Sequence, residues 1–402
     1  MLPLFASLLL VATALSASSP PALALDNGLA ELPVMGWNTW CTDDYCGLFD
    51  FCYEEEIMQM ADAMVSSGMQ DLGYQYINLD DCWGGPRSAN GTLTADTSRF
   101  PSGSLAKVTS YVHSLGLKMG LYLCAGNETC KYKRPGSWGY FDQDAQTVAD
   151  WGIDFVKLDW CNHPNLPPPT VYGMMRDSLN KTGRPIVFSA CEWGEDEPWT
   201  WGMETANMWR VHKDHLPLWG SEQGTANIIQ SMAHLSKYAG PGGWNDPDFL
   251  MTMLPPLTER ESRTEFAFWA LFAAPLIVAT DIRNMTDVKQ SILLNPEVIA
   301  INQDAFAIAG DIALNNTDGT QVWTKPLSPS VDNRYAVILY NSNDVGDKNI
   351  TIPWSILNWG NNAQAEVRDL WARERIGYIK ANYTAINVPP RGHMLISITI
   401  LQ

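Results

Sequence analysis

The sequence predicts an α/β protein, a (β/α)8 TIM barrel followed by a smaller C-terminal antiparallel β-sandwich, on three observations. Short apolar runs alternate with longer amphipathic segments about eight times over roughly 280 residues, the size and rhythm of such a barrel. No glycine-rich phosphate loop follows the first run, where Gly36-Trp37-Asn38 stands instead, which disfavours an open doubly wound sheet. Past Asn302 the texture changes to short β-prone segments separated by Asn, Asp, Gly and Pro, the pattern of an all-β domain.

Taken in order, the barrel strands are expected at 34–37, 76–79, 118–123, 155–158, 186–189, 207–210, 243–244 and 276–280. The first helix is expected over 54–67, because Ile57, Met60, Ala61 and Met64 recur at helical spacing. Segments 104–115, 143–151, 170–179, 227–239 and 258–272 read similarly. The β domain draws its clearest strands from 321–323, 335–340, 349–352 and 393–400. The expected organisation is a signal segment over 1–24, a catalytic barrel over 25–305 and the all-β domain over 306–402.

The chain has 402 residues, 46% of them hydrophobic and 17% charged, with 26 basic against 44 acidic side chains and a net charge of −18. Normal apolar content argues against disorder. The acidic surface repels phosphates, and no basic cluster offsets it, so no nucleic-acid partner is expected. The 17 Trp have two readings, core packing or flat walls of a sugar-binding cleft.

Residues 3–15 form an apolar run too short to span a bilayer, and Ala22-Leu23-Ala24 follows as a signal-cleavage site. The mature chain then starts at Leu25 or Asp26, and no membrane segment remains. Glycosylation sequons stand at Asn90, Asn127, Asn180, Asn284, Asn315, Asn349 and Asn382. Eight Cys lie in the first half of the chain. In an oxidising compartment these form disulfides by default, with connectivity not readable from spacing. No CxxC pair or His/Cys cluster supports a metal site. The expected localisation is the secretory pathway, ending secreted or in a lysosome or vacuole.

Barrels build their active sites from the loops after the strands. Those positions carry Asp80-Asp81-Cys82-Trp83, Lys157-Leu158-Asp159-Trp160-Cys161, Cys191-Glu192-Trp193, Trp209-Arg210 with Asp214, and Trp244-Asn245-Asp246-Pro247-Asp248. One acid after a strand is commonly a helix cap; acids recurring around one rim are harder to explain that way. Lys157 and Asp159 are two apart, so both face the barrel lumen. A cation beside a carboxylate lowers its pKa and keeps it ionised, as a carboxylate nucleophile requires. Carboxylates, aromatic walls and no metal or phosphate motif suit glycoside hydrolysis, which needs one carboxylate as nucleophile or base and another as acid.

These residues carry a family resemblance. The runs from Leu32 to Trp40, Asn78 to Trp83, Lys157 to Cys161, Cys191 to Gly194 and Gly240 to Asp248 resemble the α-galactosidases of glycoside hydrolase family 27, in order and over nearly the whole mature chain. The resemblance implies a retaining α-galactosidase without cofactor. Asp159 matches the nucleophile. Asp214 matches the acid/base, four residues after Arg210, although Val211-His212-Lys213 between them looks unlike most relatives. Asp80 and Asp81 match the acids that hold the galactose 6- and 4-hydroxyls. Lys157 and Arg210 match hydroxyl-binding positions, and Trp40, Tyr122 and Asp248 further pocket residues. Glu192 matches the acid on the 2-hydroxyl. Relatives acting on N-acetylgalactosamine carry a small residue there, so Glu192 argues for galactose. The resemblance also implies the bridges Cys41–Cys82, Cys46–Cys52 and Cys130–Cys161. Cys124 and Cys191 are left over, and Cys124 stands where relatives usually have Asp.

The expected partner is an α-galactoside oligosaccharide, polysaccharide or glycoconjugate, and a homodimer is left open. The alternatives are a sister enzyme for α-N-acetylgalactosamine or β-L-arabinopyranose, separable on nitrophenyl glycosides, a non-catalytic galactose-binding lectin-like barrel, and a chiefly structural secreted glycoprotein.

Overall fold

The computed structural model describes residues 27–41, 52–329 and 333–401. The expected signal segment and Cys46 lie outside these residues. Eight parallel strands form one sheet: β1 (Met35–Asn38), β2 (Tyr76–Leu79), β3 (Lys118–Cys124), β4 (Phe155–Asp159), β5 (Val187–Cys191), β6 (Met208–Arg210), β7 (Trp244–Asp246) and β8 (Leu276–Val278). The order runs from β7 down to β1 and then β8. The ring closes through one residue beyond β7. The Leu250 N–H donates to Ile277 O at 2.8 Å and Leu250 O accepts from Ala279 N–H at 3.0 Å.

The strands are apolar on both faces because both are buried. Leu79, Leu121 and Leu158 pack outward beneath the helices. Tyr76, Phe155, Val187, Met208, Trp244 and Ile277 form a separate cluster in the lumen. Along β4 the lumen face therefore reads Phe155, Lys157, Asp159, from apolar plug to charged rim. Gly120 is required on β3, since a Cβ there would lie 1.8 Å from Asn78 Oδ1.

The helices are α1 (Glu54–Ser66), α2 (Ala106–Ser114), α3 (Phe141–Asp150), α4 (Pro168–Lys181), α5 (Thr225–Ser231), α6 (Glu259–Leu271), α7 (Asp287–Leu293) and α8 (Pro296–Asn302). α1 buries Ile57, Met60, Ala61 and Met64 as its periodicity predicts, and carries three Glu in its first turn, where the helix dipole favours negative charge. α6 opens with a capping box between Thr258 and Glu261, which satisfies two orphan donors reciprocally. α7 and α8 were not expected from the sequence; both are single seven-residue segments, too short to show a period.

The C-terminal part is a six-stranded antiparallel sheet ordered β14-β13-β16-β11-β10-β9, faced by a β12–β15 pair. Its strands are β9 (Asp311–Asn315), β10 (Thr320–Pro326), β11 (Arg334–Asn341), β12 (Lys348–Pro353), β13 (Gln364–Asp369), β14 (Glu374–Lys380), β15 (Asn382–Val388) and β16 (His393–Ile400). Period two splits the large sheet cleanly. Val337, Leu339, Ile396 and Ile398 form the sandwich core with Ile350, Ile352 and Trp354, whereas Trp323, Ile338, Tyr340 and Leu395 join the barrel core. On that side Phe268 of α6 meets Trp323 and Tyr340 edge-on, at 5.3 and 5.1 Å between centroids. This explains why α6 is buried almost all round from Thr264 to Leu271, as a helix sandwiched between two layers must be. Trp323→Ala is expected to cost about 3–5 kcal/mol by opening a cavity at this junction. Urea unfolding followed by fluorescence and circular dichroism would measure it, and a loss below 1 kcal/mol would mean that the junction contributes little.

The disulfide framework differs from the expectation. Cys82 pairs with Cys52, at a Cα separation of 6.1 Å, and not with Cys41; the expected Cys46–Cys52 bridge is thereby excluded too. Cys41 is itself disulfide-bonded. Three Cys lie in the twelve-residue stretch 41–52 ahead of α1, so each could reach the β2 loop in sequence, and only the entry of the chain into α1 selects Cys52. Cys130–Cys161 forms as expected. Cys124 and Cys191 are free and buried.

Candidate active site

One cavity, with an empty volume of about 420 Å³, opens at the C-terminal ends of the strands. Trp40, Asp80, Asp81, Tyr122, Lys157, Asp159, Arg210, Asp214 and Asp248 all line it. Of the predicted site residues, Glu192 alone does not. Its side chain is fully buried, Oε2 accepts the Asp196 N–H at 2.8 Å, and Oε1 meets no hydrogen-bond partner. Burial pushes its carboxyl up to about 7.

Asp159 ends β4, level with Cys124 on β3 and Cys191 on β5. Its Oδ1 accepts the Trp160 N–H at 2.9 Å, and Oδ2 lies 3.0 Å from the Cys130 sulfur. That is a contact without a proton, since the sulfur is in a disulfide. Lys157 lowers the Asp159 pKa as the sequence suggested, but burial outweighs it and raises the carboxyl to about 6. The Lys157 ammonium itself reaches across the lumen to Asp80 Oδ2, at 3.0 Å. Phe249 and Tyr122 offer ring faces 5.0 and 5.4 Å from that ammonium, which offsets part of its desolvation.

Asp80 also accepts the Asp81 N–H on Oδ1 at 2.9 Å, so the two adjacent acids are held in fixed, different directions. Asp81 Oδ2 accepts the N–H groups of Lys131 and Tyr132 at 2.6 and 3.2 Å; burial still raises its carboxyl above the usual range. These donors come from the β3–α3 loop, which Cys130–Cys161 ties to the end of β4. The Tyr122 hydroxyl accepts the Cys130 N–H at 3.3 Å.

Arg210 is the second buried cation. Its Nη2 lies 3.0 Å from Asp248 Oδ2 and 3.2 Å from Asp214 Oδ1. Asp214 is 42% exposed by side chain, while Asp248 is 2% exposed. The Asp214 carboxyl thus meets solvent, and Asp248 does not. Asp248 has φ +84°, a conformation that costs about 1–3 kcal/mol for a side chain other than glycine. Four bonds hold it there. Its N–H donates to Asp246 Oδ1 at 2.8 Å. Its Oδ2 accepts from the His215 N–H at 2.7 Å and from Arg210. Its carbonyl accepts the Trp269 indole N–H at 2.7 Å. Burial pushes the Asp248 carboxyl up to about 7.

Seven Trp stand in the strand-end motifs, at positions 37, 40, 83, 160, 193, 209 and 244. Only Trp40 and Trp193 line the cavity. Trp37, Trp83, Trp209 and Trp244 are buried, their indole N–H groups donating to Thr280 O, Tyr122 O, Asn245 Oδ1 and Ala30 O. Trp160 stacks between His163 and Tyr172. These support the rim rather than face it. Four cavity residues were absent from the expected binding set: Trp193, Phe249 and the disulfide-bonded Cys130 and Cys161. Trp193 and Phe249 each directly follow a predicted acid, which was the available signal. Among the described residues no His, Cys, Asp and Glu group has the arrangement of a metal centre, and no helix is long and apolar enough to cross a membrane.

Beneath the rim sits one buried acid with a measurable consequence. Glu265 on α6 accepts from the Met251 N–H and the Thr252 hydroxyl, both at 2.7 Å, and burial pushes its carboxyl up to about 8. The folded state therefore binds a proton that the unfolded chain releases near 4.5. Its stabilising contribution is full below that value and is lost as pH rises through about 8, a change of a few kcal/mol at most. Glu265→Gln is expected to flatten the fall in stability between pH 5 and pH 8. An unchanged pH dependence in thermal unfolding would show that Glu265 does not titrate there.

Comparison with known proteins places the chain among enzymes of one kind. Residues 32–304 match the family model described as alpha galactosidase A, and residues 317–398 the model described as alpha galactosidase C-terminal beta sandwich domain. An alpha-galactosidase A of Cellvibrio japonicus is 45% identical over 324 residues, covering 79% of this chain and 77% of that protein. The crystal structure of alpha-galactosidase I from Mortierella vinacea superposes with a TM-score of 0.86 at 34% identity, covering 93% of this chain and 98% of that one. The Saccharomyces cerevisiae alpha-galactosidase with raffinose superposes with a TM-score of 0.83 at 27% identity, covering 94% of this chain and all of that one.

Proposed function

This chain belongs to the α-galactosidases of glycoside hydrolase family 27, and from that premise we propose that it removes terminal α-linked galactose with net retention, using Asp159 and Asp214. Asp159 attacks the anomeric carbon from the lumen side. Asp214, protonated, donates to the leaving oxygen, so the aglycone departs as an alcohol and a β-linked galactosyl-enzyme remains. Water then enters. Asp214, now a carboxylate, takes its proton, and attack at the anomeric carbon releases galactose and frees Asp159.

The observation that carries this reading is the division of labour in one cavity. Asp159 is buried at its floor and Asp214 is exposed at its mouth. A nucleophile shielded from water and an acid in contact with it are what the two steps need. Asp80, Asp81, Lys157, Arg210 and Asp248 supply charged hydrogen-bond partners for sugar hydroxyls, with Asp81 reading the axial 4-hydroxyl. Trp40, Tyr122 and Trp193 supply the apolar walls. No cofactor enters the scheme. Glu192, which the resemblance matches to the 2-hydroxyl, does not line the cavity, so the scheme gives it no sugar contact.

The substrate class is an α-galactoside oligosaccharide, polysaccharide or glycoconjugate; the relative solved with raffinose supports the oligosaccharide member. The short apolar run at 3–15 and its cleavage motif support entry into the secretory pathway. The deciding experiment is hydrolysis of nitrophenyl α-galactoside beside the N-acetyl-α-galactosaminide and the β-L-arabinopyranoside. The expected result is dominant activity on the first, with the α-anomer of galactose released first by NMR. Faster cleavage of either other glycoside, or release of β-galactose, would refute the reading.

A further inference from the structure

Outside the cavity, the flank of the β3–α3 loop carries a second aromatic surface for which galactoside hydrolysis has no use. Trp138, Tyr140, Phe141, Met174, Asp177 and Lys181 line an open groove there. Tyr140 is 40% and Met174 44% exposed. The neighbouring turn carries the sequon Asn90-Gly91-Thr92. Asn90 Oδ1 accepts from the hydroxyls of Ser88 and Thr92 at 2.5 and 3.0 Å and from the Thr92 N–H at 3.3 Å. Its Nδ2 makes no hydrogen bond among the described residues, and the residue is exposed.

The turn is built onto the groove. Gln143, another groove residue, donates from Nε2 to Asn90 O at 3.1 Å and to Thr92 Oγ1 at 3.0 Å. Gly91, at φ +89°, is so close to Tyr140 that a Cβ would lie 2.9 Å from its ring. Arg87 bonds Gly91 O at 2.8 Å and sits 4.0 Å over the same ring. The turn that carries the amide is therefore fastened to residues of the aromatic groove.

We propose that Asn90 is an N-glycosylation site and that the first sugars of its glycan lie in this groove against Tyr140 and Trp138. In the transfer, Asn90 Nδ2 attacks the anomeric carbon of an N-acetylglucosamine carried on a lipid diphosphate. An N–C bond forms, the C–O bond to the diphosphate breaks, and the displaced proton leaves with the phosphate. Pyranose rings present flat C–H faces that aromatic rings cover, and Asp177 and Lys181 offer polar partners for the hydroxyls. The tether selects this occupant over a free oligosaccharide, because it holds the sugars beside the groove at high effective concentration.

The test uses the full chain secreted from a eukaryotic host. Site-resolved mass spectrometry should find Asn90 modified. An endoglycosidase cutting inside the core should release that glycan at least about tenfold more slowly from native than from denatured protein, corresponding to about 10:1 docked to free. Tyr140→Ala and Met174→Glu should abolish the protection while leaving hydrolysis of nitrophenyl α-galactoside unchanged. An unmodified Asn90, equal release from native and denatured chains, or protection that survives Tyr140→Ala would each overturn the proposal. Asn180, exposed beside Lys181 on α4, is the control. Loss of the protection in Asn180→Gln, or binding of a free manno-oligosaccharide to the glycosylated protein that Tyr140→Ala abolishes, would assign the groove elsewhere.

Discussion

Replacing Asp159 by Asn should lower kcat on nitrophenyl α-galactoside by a factor on the order of 10⁴ or more, while galactose binding changes by less than about tenfold. Losses of this size are typical when the nucleophile of a covalent mechanism is removed and the rest of the site stays in place. Asn keeps the shape of Asp159 and its acceptor for the Trp160 N–H, but it cannot form the galactosyl ester. Equilibrium binding by calorimetry separates this outcome from collapse of the site. Turnover within about 100-fold of the parent would assign the nucleophile elsewhere. The wild-type pH profile carries the same prediction independently. Asp159 must be ionised to attack, and burial holds it at about 6 in the free enzyme. The acidic limb of kcat/KM should therefore break near pH 6, falling about tenfold per unit below it. A limb that extends flat to pH 4 would contradict the buried, raised carboxyl.

Lys157→Met should be the most damaging single change to the framework of the cavity. It leaves Asp80, 1% exposed, without its cation, and breaking a buried pair in this way typically costs about 3–5 kcal/mol. A second readout isolates the effect on chemistry. The lysine lowers the Asp159 pKa against burial, so its loss should move the acidic limb of kcat/KM above that of the parent. Unfolding titrations at two pH values measure the first effect, and a pH–rate profile of any residual activity the second. A variant as stable as the parent with an unmoved limb would show that Lys157 neither supports Asp80 nor tunes Asp159.

How much of the site was legible in the sequence follows from how local each signal is. Lys157 and Asp159 were placed on one face of a strand because period two is a property of the backbone. Asp80, Asp81, Arg210, Asp214 and Asp248 were legible because barrel strands present their carboxyl ends on one rim. The partners of these groups were not legible. Lys157 and Asp159 are two residues apart, yet the lysine pairs with Asp80, 77 residues earlier, because a four-carbon stem spans the lumen more easily than it folds back along its own strand. Cys52 rather than Cys41 meets Cys82 for the same kind of reason, since the bridge is decided by where α1 packs.

By itself, then, the sequence determined the strand and helix rhythm, the change to a β domain and the set of acids on the rim, each of which depends on spacing along the chain. Only the tertiary structure decided the raised pKa of Asp159, the partner of each cation, which two of seven tryptophans face the cavity, and the position of Glu192. Those depend on burial and on distances between residues far apart in sequence. Desolvation and Coulomb terms there are large and opposed, and only the folded coordinates say which of them is larger.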